Sequence, residues 1–325
     1  MKKGVLLAFL LPFALFSFQS PAQAQTFRIG YTAKVLTYLP LFVGWKKGFY
    51  QAEGLRGDVI QMFSGGVHIQ ALATGELQFG TFNPDSIILF NEKGGNLKII
   101  AGVANAAPYL LIGGKKFKRV EDLKGEKLAA SALRGGTGSL LTAYLRAKGL
   151  VYPRDYAIVV IPGGTPAFLS ALESGAIAGA VLGTPFSDMA LDRGLNLIGE
   201  ILEVLPRYQF NAINVDPAWA DKNSATVVKV LKAHIRSLRW IYERPDEAAQ
   251  LFTSEAGAKP PYPRRGIDYF TRNKVFPTDG ALTLEGLMAN LQVLGRDGLL
   301  KEPLPPPEKY VDLSYLKQAQ RELGM

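Results

Sequence analysis

The chain has 325 residues, 48% hydrophobic and 20% charged, with 34 Gly, 20 Pro and no Cys. That composition excludes a disordered, collagen-like or disulfide-scaffold protein, and the missing cysteine excludes thiolate metal sites, iron–sulfur clusters and a cysteine nucleophile. The formal charge is +9, but the basic residues are scattered and form no stripe or reading motif of a nucleic-acid binder. At about 100–200 residues per domain the length fits two domains, each able to bury a core.

Residues 1–24 read MKKGVLLAFLLPFALFSFQSPAQA: Lys2 and Lys3, an apolar run from Val5 to Phe18, then Ala22-Gln23-Ala24 as a small-x-small cleavage site. The run is short for a bilayer span. The pattern predicts a cleaved export signal, a mature chain starting near Gln25 and a periplasmic location. With no cysteine after the site, no lipid anchor is expected.

Strands and helices then alternate. Thr26–Tyr31 reads as a strand, and a helix is predicted from Pro40 to Lys47, stopped by Gly48. Asp58–Met62 is the next strand, followed by a helix from Gly65-Gly66 to Ala73, a strand at Leu77–Thr81, a helix at Pro84–Glu92 and a buried strand at Leu97–Val103. Short apolar runs separated by helices predict a parallel α/β sheet.

The pattern repeats. Ser64-Gly65-Gly66 leads into Ala71-Leu72-Ala73-Thr74-Gly75, and Pro162-Gly163-Gly164-Thr165 leads into Ala171-Leu172-Glu173-Ser174-Gly175; Asn83-Pro84 is echoed by Thr184-Pro185. An offset of about 100 residues is too long for a solenoid and predicts two similar lobes. The second takes Tyr109–Gly113, Lys127–Ser131, Ile158–Ile161 and Ile177–Leu182 as strands. Beyond Pro206, Tyr208–Val215 is expected to return to the first lobe, with helices at Ala225–Glu243, Asp246–Phe252, Leu282–Leu294 and Leu313–Leu323. The predicted divisions are 1–24 signal peptide, 25–106 first lobe, 107–206 second lobe and 207–325 the return plus C-terminal helices. Two crossovers, near 105–109 and 205–210, would form a natural hinge.

Gly30-Tyr31-Thr32, Pro40-Leu41-Phe42-Val43, Lys47-Gly48-Phe49-Tyr50, Glu53-Gly54-Leu55, Ala71-Leu72 with Gly75-Glu76-Leu77-Gln78-Phe79-Gly80, and Asp122-Leu123-Lys124-Gly125 stand in a recognisable order. The chain resembles the periplasmic solute-binding proteins of ABC importers for aliphatic sulfonates, taurine, nitrate and thiamine pyrimidine precursors, over nearly the whole mature length. The resemblance implies an α/β fold of two Rossmann-like lobes joined by a two-crossover hinge, the type II periplasmic binding protein fold. It further implies closure on a small ligand and a permease and ATPase as partners.

In open α/β sheets ligands sit beyond the carboxyl ends of strands, against helix starts. The loop Leu133-Arg134-Gly135-Gly136-Thr137-Gly138-Ser139 has that placement and is also expected at the cleft from the resemblance. Gly136 and Gly138 let a ligand approach the backbone, Thr137 and Ser139 add hydroxyls, and Arg134 could pair with an anion. Ser64-Gly65 and Gly164-Thr165 are the paired glycine loops, and Asn83, Asp85 and Thr184 open the following helices. Asp85 facing the cleft would suit an amine or ring N–H; otherwise it is an early-turn acid favoured by the helix dipole. Tyr38, and with less claim Tyr31 and Phe82, are candidates for an aromatic wall. His68 and His234 read as surface or satisfied core residues, and with only two histidines no metal site is expected.

No G-x-S-x-G, Walker A or H-E-x-x-H occurs, so no enzymatic activity and no cofactor are expected. The eukaryotic branch that makes thiamine pyrimidine carries a cysteine cluster that this chain lacks. The expected function is capture of a small organic anion, such as a sulfonate or nitrate, or of a heteroaromatic solute, by a monomer that delivers it to an importer. Import of a thiamine pyrimidine precursor, or service to a membrane sensor, are the alternatives.

Overall fold

A computed structural model describes residues 25–62 and 65–325; the predicted export signal and Ser64 lie outside the described residues. The first half runs β1 (Gln25–Tyr31), α1 (Leu39–Lys46), α2 (Phe49–Ala52), β2 (Leu55–Gln61), α3 (Gly65–Ala73), β3 (Phe79–Phe82), α4 (Pro84–Asn91) and β4 (Lys98–Ala104). The second runs β5 (Tyr109–Gly113), β6 (Lys127–Ala130), α5 (Thr137–Ala147), β7 (Ala157–Val160), α6 (Thr165–Glu173), β8 (Gly179–Gly183), α7 (Phe186–Asp192) and β9 (Asn196–Glu200). The remainder is β10 (Asn211–Val215) followed by α8 (Pro217–Lys222), α9 (Ser224–Glu243), α10 (Pro245–Ala256), α11 (Tyr262–Arg272), α12 (Leu284–Arg296) and α13 (Ser314–Glu322).

The strands form two five-stranded sheets, ordered β2-β1-β3-β10-β4 and β7-β6-β8-β5-β9. The sheets have the same plan. Three strands run parallel in each, and the fourth position is filled by a strand arriving from the other sheet, β10 in the first and β5 in the second. Those two visitors pair antiparallel to both neighbours, so the sheets are mixed and the expected all-parallel arrangement is corrected. A strand that has just crossed from another body meets its new sheet without the helical crossover that enforces parallel pairing. The chain therefore passes between the sheets twice, between β4 and β5 and between β9 and β10.

The strands are apolar because they are covered on both faces: β3, β5, β8 and β10 carry almost only buried residues. Helix α9 follows an amphipathic rule, burying Val227, Val230, Leu231, His234, Leu238 and Ile241 at helical spacing. Each fully buried aliphatic side chain there stabilises the fold by about 1.5–3 kcal/mol. Its buried face holds α1, α2, α10 and α13. The end of the chain is tied down by Asp312 N–H donating to Ile99 O at 2.9 Å. Helix α12 reaches α5 of the second sheet, where Asp297 accepts from Thr142 Oγ1 at 3.1 Å and from Arg146 at 2.9 Å. Among the described residues no helix is long and apolar enough to cross a membrane.

Candidate ligand-binding site

Between the sheets lies a cavity of about 510 Å³. Its walls are the loops that leave the carboxyl ends of β1, β3, β6 and β7, together with the start of α3 and both crossing segments, the position at which open α/β sheets present helix starts to a ligand. Loops from the two sheets touch around it. A Cβ on Gly135 would stand 3.0 Å from Ser86 Oγ, and one on Gly164 would stand 3.6 Å from Ala33 Cβ. Nearby, Leu36 N–H donates to Thr184 O at 3.1 Å.

Eight of the residues singled out from sequence line this cavity. From the first body come Tyr38, Gly65 and Asn83; from the second, Arg134, Gly136, Thr137, Gly164 and Thr165. Tyr38 is buried, its hydroxyl 2.5 Å from Thr32 Oγ1, and burial raises its pKa above the usual phenol value. Asn83 caps α4, accepting from Asp85 N–H at 2.9 Å and donating to Phe210 O at 3.0 Å, so its amide fastens the β3–α4 corner to the second crossing. Thr137 Oγ1 accepts from Ser131 N–H at 2.9 Å. Gly136 and Gly164 precede α5 and α6 with φ of 55° and 65°, a backbone that glycine adopts without strain. Arg134 is exposed and has no carboxylate partner among the described residues.

Four expected contacts are placed elsewhere. Asp85 points into the protein, not the cavity: it is fully buried and accepts from Tyr208 Oη at 2.6 Å and from Asn290 Nδ2 at 2.7 Å. Burial drives its pKa up; hydrogen bonding pulls the other way. Ser139 is buried, with Oγ accepting from Gly135 N–H at 3.0 Å. Gly138 is a close-packing residue, since a Cβ there would collide with Ala132 O. Thr184 is covered by α11, which brings Gly266 so near that no Cβ fits against Thr184 Cγ2. Helix α11 has no counterpart in the sequence reading, which is why Thr184 looked open. Of the remaining aromatics, Phe82 lines the cavity, whereas Tyr31 is packed in the core against Phe42, 5.1 Å between ring centres.

The sequence reading missed the floor. Tyr109 and Phe210, from the two crossings, form a tilted ring pair with centroids 4.7 Å apart. Beside them Asn211 is 1% exposed and its Nδ2 has no hydrogen-bond partner. The signal was present: both crossings had been located, and chain segments that join two bodies must pass the bottom of any cleft between them. At the other end the cavity has Lys93, exposed like Arg134 and likewise without a carboxylate partner among the described residues. Among the described residues no Asp or Glu lines the cavity. The site therefore has a buried aromatic floor, an unpaired and covered amide donor beside it, and two exposed cations in its lining.

The two histidines lie outside it. His234 is buried and bonds Gly102 O at 2.9 Å, whereas His68 is buried against Phe82, 4.2 Å between rings, with neither ring nitrogen bonded. Burial lowers their pKa values to about 4 and about 3, so both are neutral at pH 7. Among the described residues no three His, Cys, Asp or Glu side chains are grouped to hold a metal ion.

Comparison with known proteins follows the same lines. The family model described as NMT1/THI5 like matches residues 36–248. A provisionally named binding protein of Brucella abortus (strain 2308) is 27% identical over 216 residues, 66% of this chain and 62% of its own length; the match thus spans less than two thirds of that relative. The ligand-binding component of an ABC-type import system from Staphylococcus aureus, solved with zinc bound, superposes with a TM-score of 0.74 at 15% identity, over 91% of this chain and 99% of its own. The alkanesulfonate-binding protein SsuA from Xanthomonas axonopodis pv. citri, bound to MOPS, superposes with a TM-score of 0.71 at 17% identity, over 89% and 99%. These structural likenesses show a two-domain α/β fold of the periplasmic-binding-protein type.

Proposed function

The chain belongs to the NMT1/THI5-like family, and from that premise we propose that it is the periplasmic solute-binding component of an ABC importer. It captures a small organic solute between its two bodies and presents the closed form to a membrane permease and its ATPase. The observation that carries this reading is the cavity itself: about 510 Å³ enclosed between two sheets whose chain connections both run along its floor. A body joined to another by two such strands can rotate about them, and a ligand that touches both bodies stabilises the closed arrangement by its differential affinity for it. The close approach of the glycine loops at Gly135 and Gly164 to the opposite body supports that reading. The absence of acids from the lining favours an anion over a cation, in keeping with the alkanesulfonate named for the Xanthomonas structure.

The test is native mass spectrometry of the protein isolated from its own host, followed by small-angle scattering with and without the solute found. A bound organic solute that reduces the radius of gyration is the expected result. Protein that never carries a solute and never compacts would refute the importer reading.

A further inference from the structure

The cavity has a buried inner end and an exposed outer end, with different chemistry. The inner end is the buried pair Tyr109 and Phe210 with Asn211 Nδ2 among them, a donor with no partner in a residue only 1% exposed. Tyr38, also in the lining, has its own short bond to Thr32 Oγ1. A buried unpaired donor is costly, so Asn211 is a position that gains when a ligand brings an acceptor to it. The outer end holds Arg134 and Lys93, two exposed cations with no acid in the lining to balance them. Between the ends the walls include Phe82 and Phe90.

Each feature removes a class of solute. A volume of about 510 Å³ lies in the range of about 300–1,000 Å³ that encloses an organic molecule, and a bare inorganic anion would leave most of it unfilled. The lack of carboxylates disfavours a cation. Two unbalanced positive groups at the mouth favour a negative charge there, and Arg can hold a carboxylate or sulfonate in two-pronged fashion. Aromatic walls favour a flat ring, through stacked or edge-on contacts.

We infer that the solute is an aromatic acid: a ring seated on the Tyr109–Phe210 floor, an acceptor at its inner end meeting Asn211 Nδ2, and an anionic group at its outer end meeting Arg134 and Lys93. This rests on the reading of the cavity as a solute site and adds to it a chemical class and an orientation. Asn211 is then the selectivity residue, and Arg134 the principal charge partner.

The experiment is titration calorimetry of the purified protein at pH 7 with isonicotinate, benzoate, cyclohexanecarboxylate, ethanesulfonate, nitrate and neutral 4-methylpyridine. Isonicotinate carries its ring nitrogen opposite the carboxylate, so it is expected to bind more tightly than benzoate, and benzoate more tightly than cyclohexanecarboxylate. Arg134→Ala should weaken both aromatic acids by about tenfold or more, the scale of one charged hydrogen bond. Asn211→Ala should bring the ratio of isonicotinate to benzoate affinity down towards one, whatever it does to benzoate itself, a change of ratio that general damage to the fold would not produce. The wild-type ranking decides the matter even if that variant does not fold. Ethanesulfonate or nitrate binding as tightly as the aromatic acids would overturn the inference and leave the importer reading standing. Equal binding of 4-methylpyridine and isonicotinate would also overturn it. If none of the six binds, the inference falls; the importer reading falls with it only if protein from the host also carries no solute.

Discussion

The corners after β3 and β8 occupy equivalent places in the two sheets, yet they behave differently. In the first sheet Asn83 reaches the cavity and Asp85, two residues on, is buried under Tyr208 and Asn290. In the second sheet Thr184 is sealed by α11, and its hydroxyl lies 3.4 Å from Ser187 Oγ. The duplicated sequence pattern is the same; what differs is the C-terminal chain. Helices α8 to α13 follow the second crossing, and two of them, α11 and α12, lie across these corners. α12 supplies Asn290 to one and α11 covers the other. A repeat therefore equates local geometry and not exposure, because exposure depends on what a later segment packs upon.

The largest expected effect breaks that contrast directly. Asp85→Ala strips the acceptor from two buried donors, Tyr208 Oη and Asn290 Nδ2. It is expected to cost about 2–6 kcal/mol, the sum of two unpaired buried groups. Thr184→Val keeps the methyl group against Gly266 and loses one long bond, so it should cost less than about 1 kcal/mol. Urea unfolding of the two variants measures both. Near-equal losses would show that the corners are alike after all.

A second test uses pH. His68 lies beside Phe82 in the first body, and His234 on α9, with folded pKa values near 3 and near 4 against 6.5 unfolded. Because the folded values are depressed, the unfolded chain binds the proton first. Stability is full above pH 6.5 and falls as pH drops towards 4 and 3. At pH 5 the loss is about 2 kcal/mol for each histidine, seen as a lower denaturation midpoint. The raised pKa of Asp85 acts in the opposite sense: the folded chain holds its proton at higher pH than the unfolded one, so acid eases that group's burial. Replacing His68 with Phe should remove roughly half of the acid loss.

The smallest effect sharpens the comparison at the cleft. Gly135 and Gly175 have similar φ, 81° and 73°, but a Cβ on Gly135 meets Ser86 across the cavity while one on Gly175 meets nothing within 4 Å. Alanine at either site costs about 1–2 kcal/mol of backbone strain. Only Gly135→Ala should also enlarge the radius of gyration and weaken binding of the host solute several-fold, as read by scattering and calorimetry.

Much of the architecture was legible because strands and helices announce themselves by periodicity. Tyr109–Gly113 was placed to the residue, and the helix predicted over Ala225–Glu243 is Ser224–Glu243 in the structure. Helix α11 escaped because its buried positions include Pro263 and Gly266 as well as Ile267 and Phe270. The spacing is helical, but proline and glycine count as breakers in a sequence reading. Here proline sits in the first turn, where it is tolerated, and glycine gives room to Thr184. The direction of β5 and β10 was hidden for another reason: an apolar run looks the same in a parallel or an antiparallel neighbourhood.

The sequence alone determined the two α/β units, the glycine-opened helices facing the ends of the strands, and where the chain passes between the units. These follow from local propensity and repetition, which each segment carries within itself. Only the tertiary structure decided that Asp85 is buried under Tyr208 and Asn290, that Thr184 is covered, and that Asn211 Nδ2 stands unpaired beside Tyr109 and Phe210. Those outcomes depend on contacts between residues far apart in the chain, and which distant groups desolvate or satisfy one another is settled when the segments pack together.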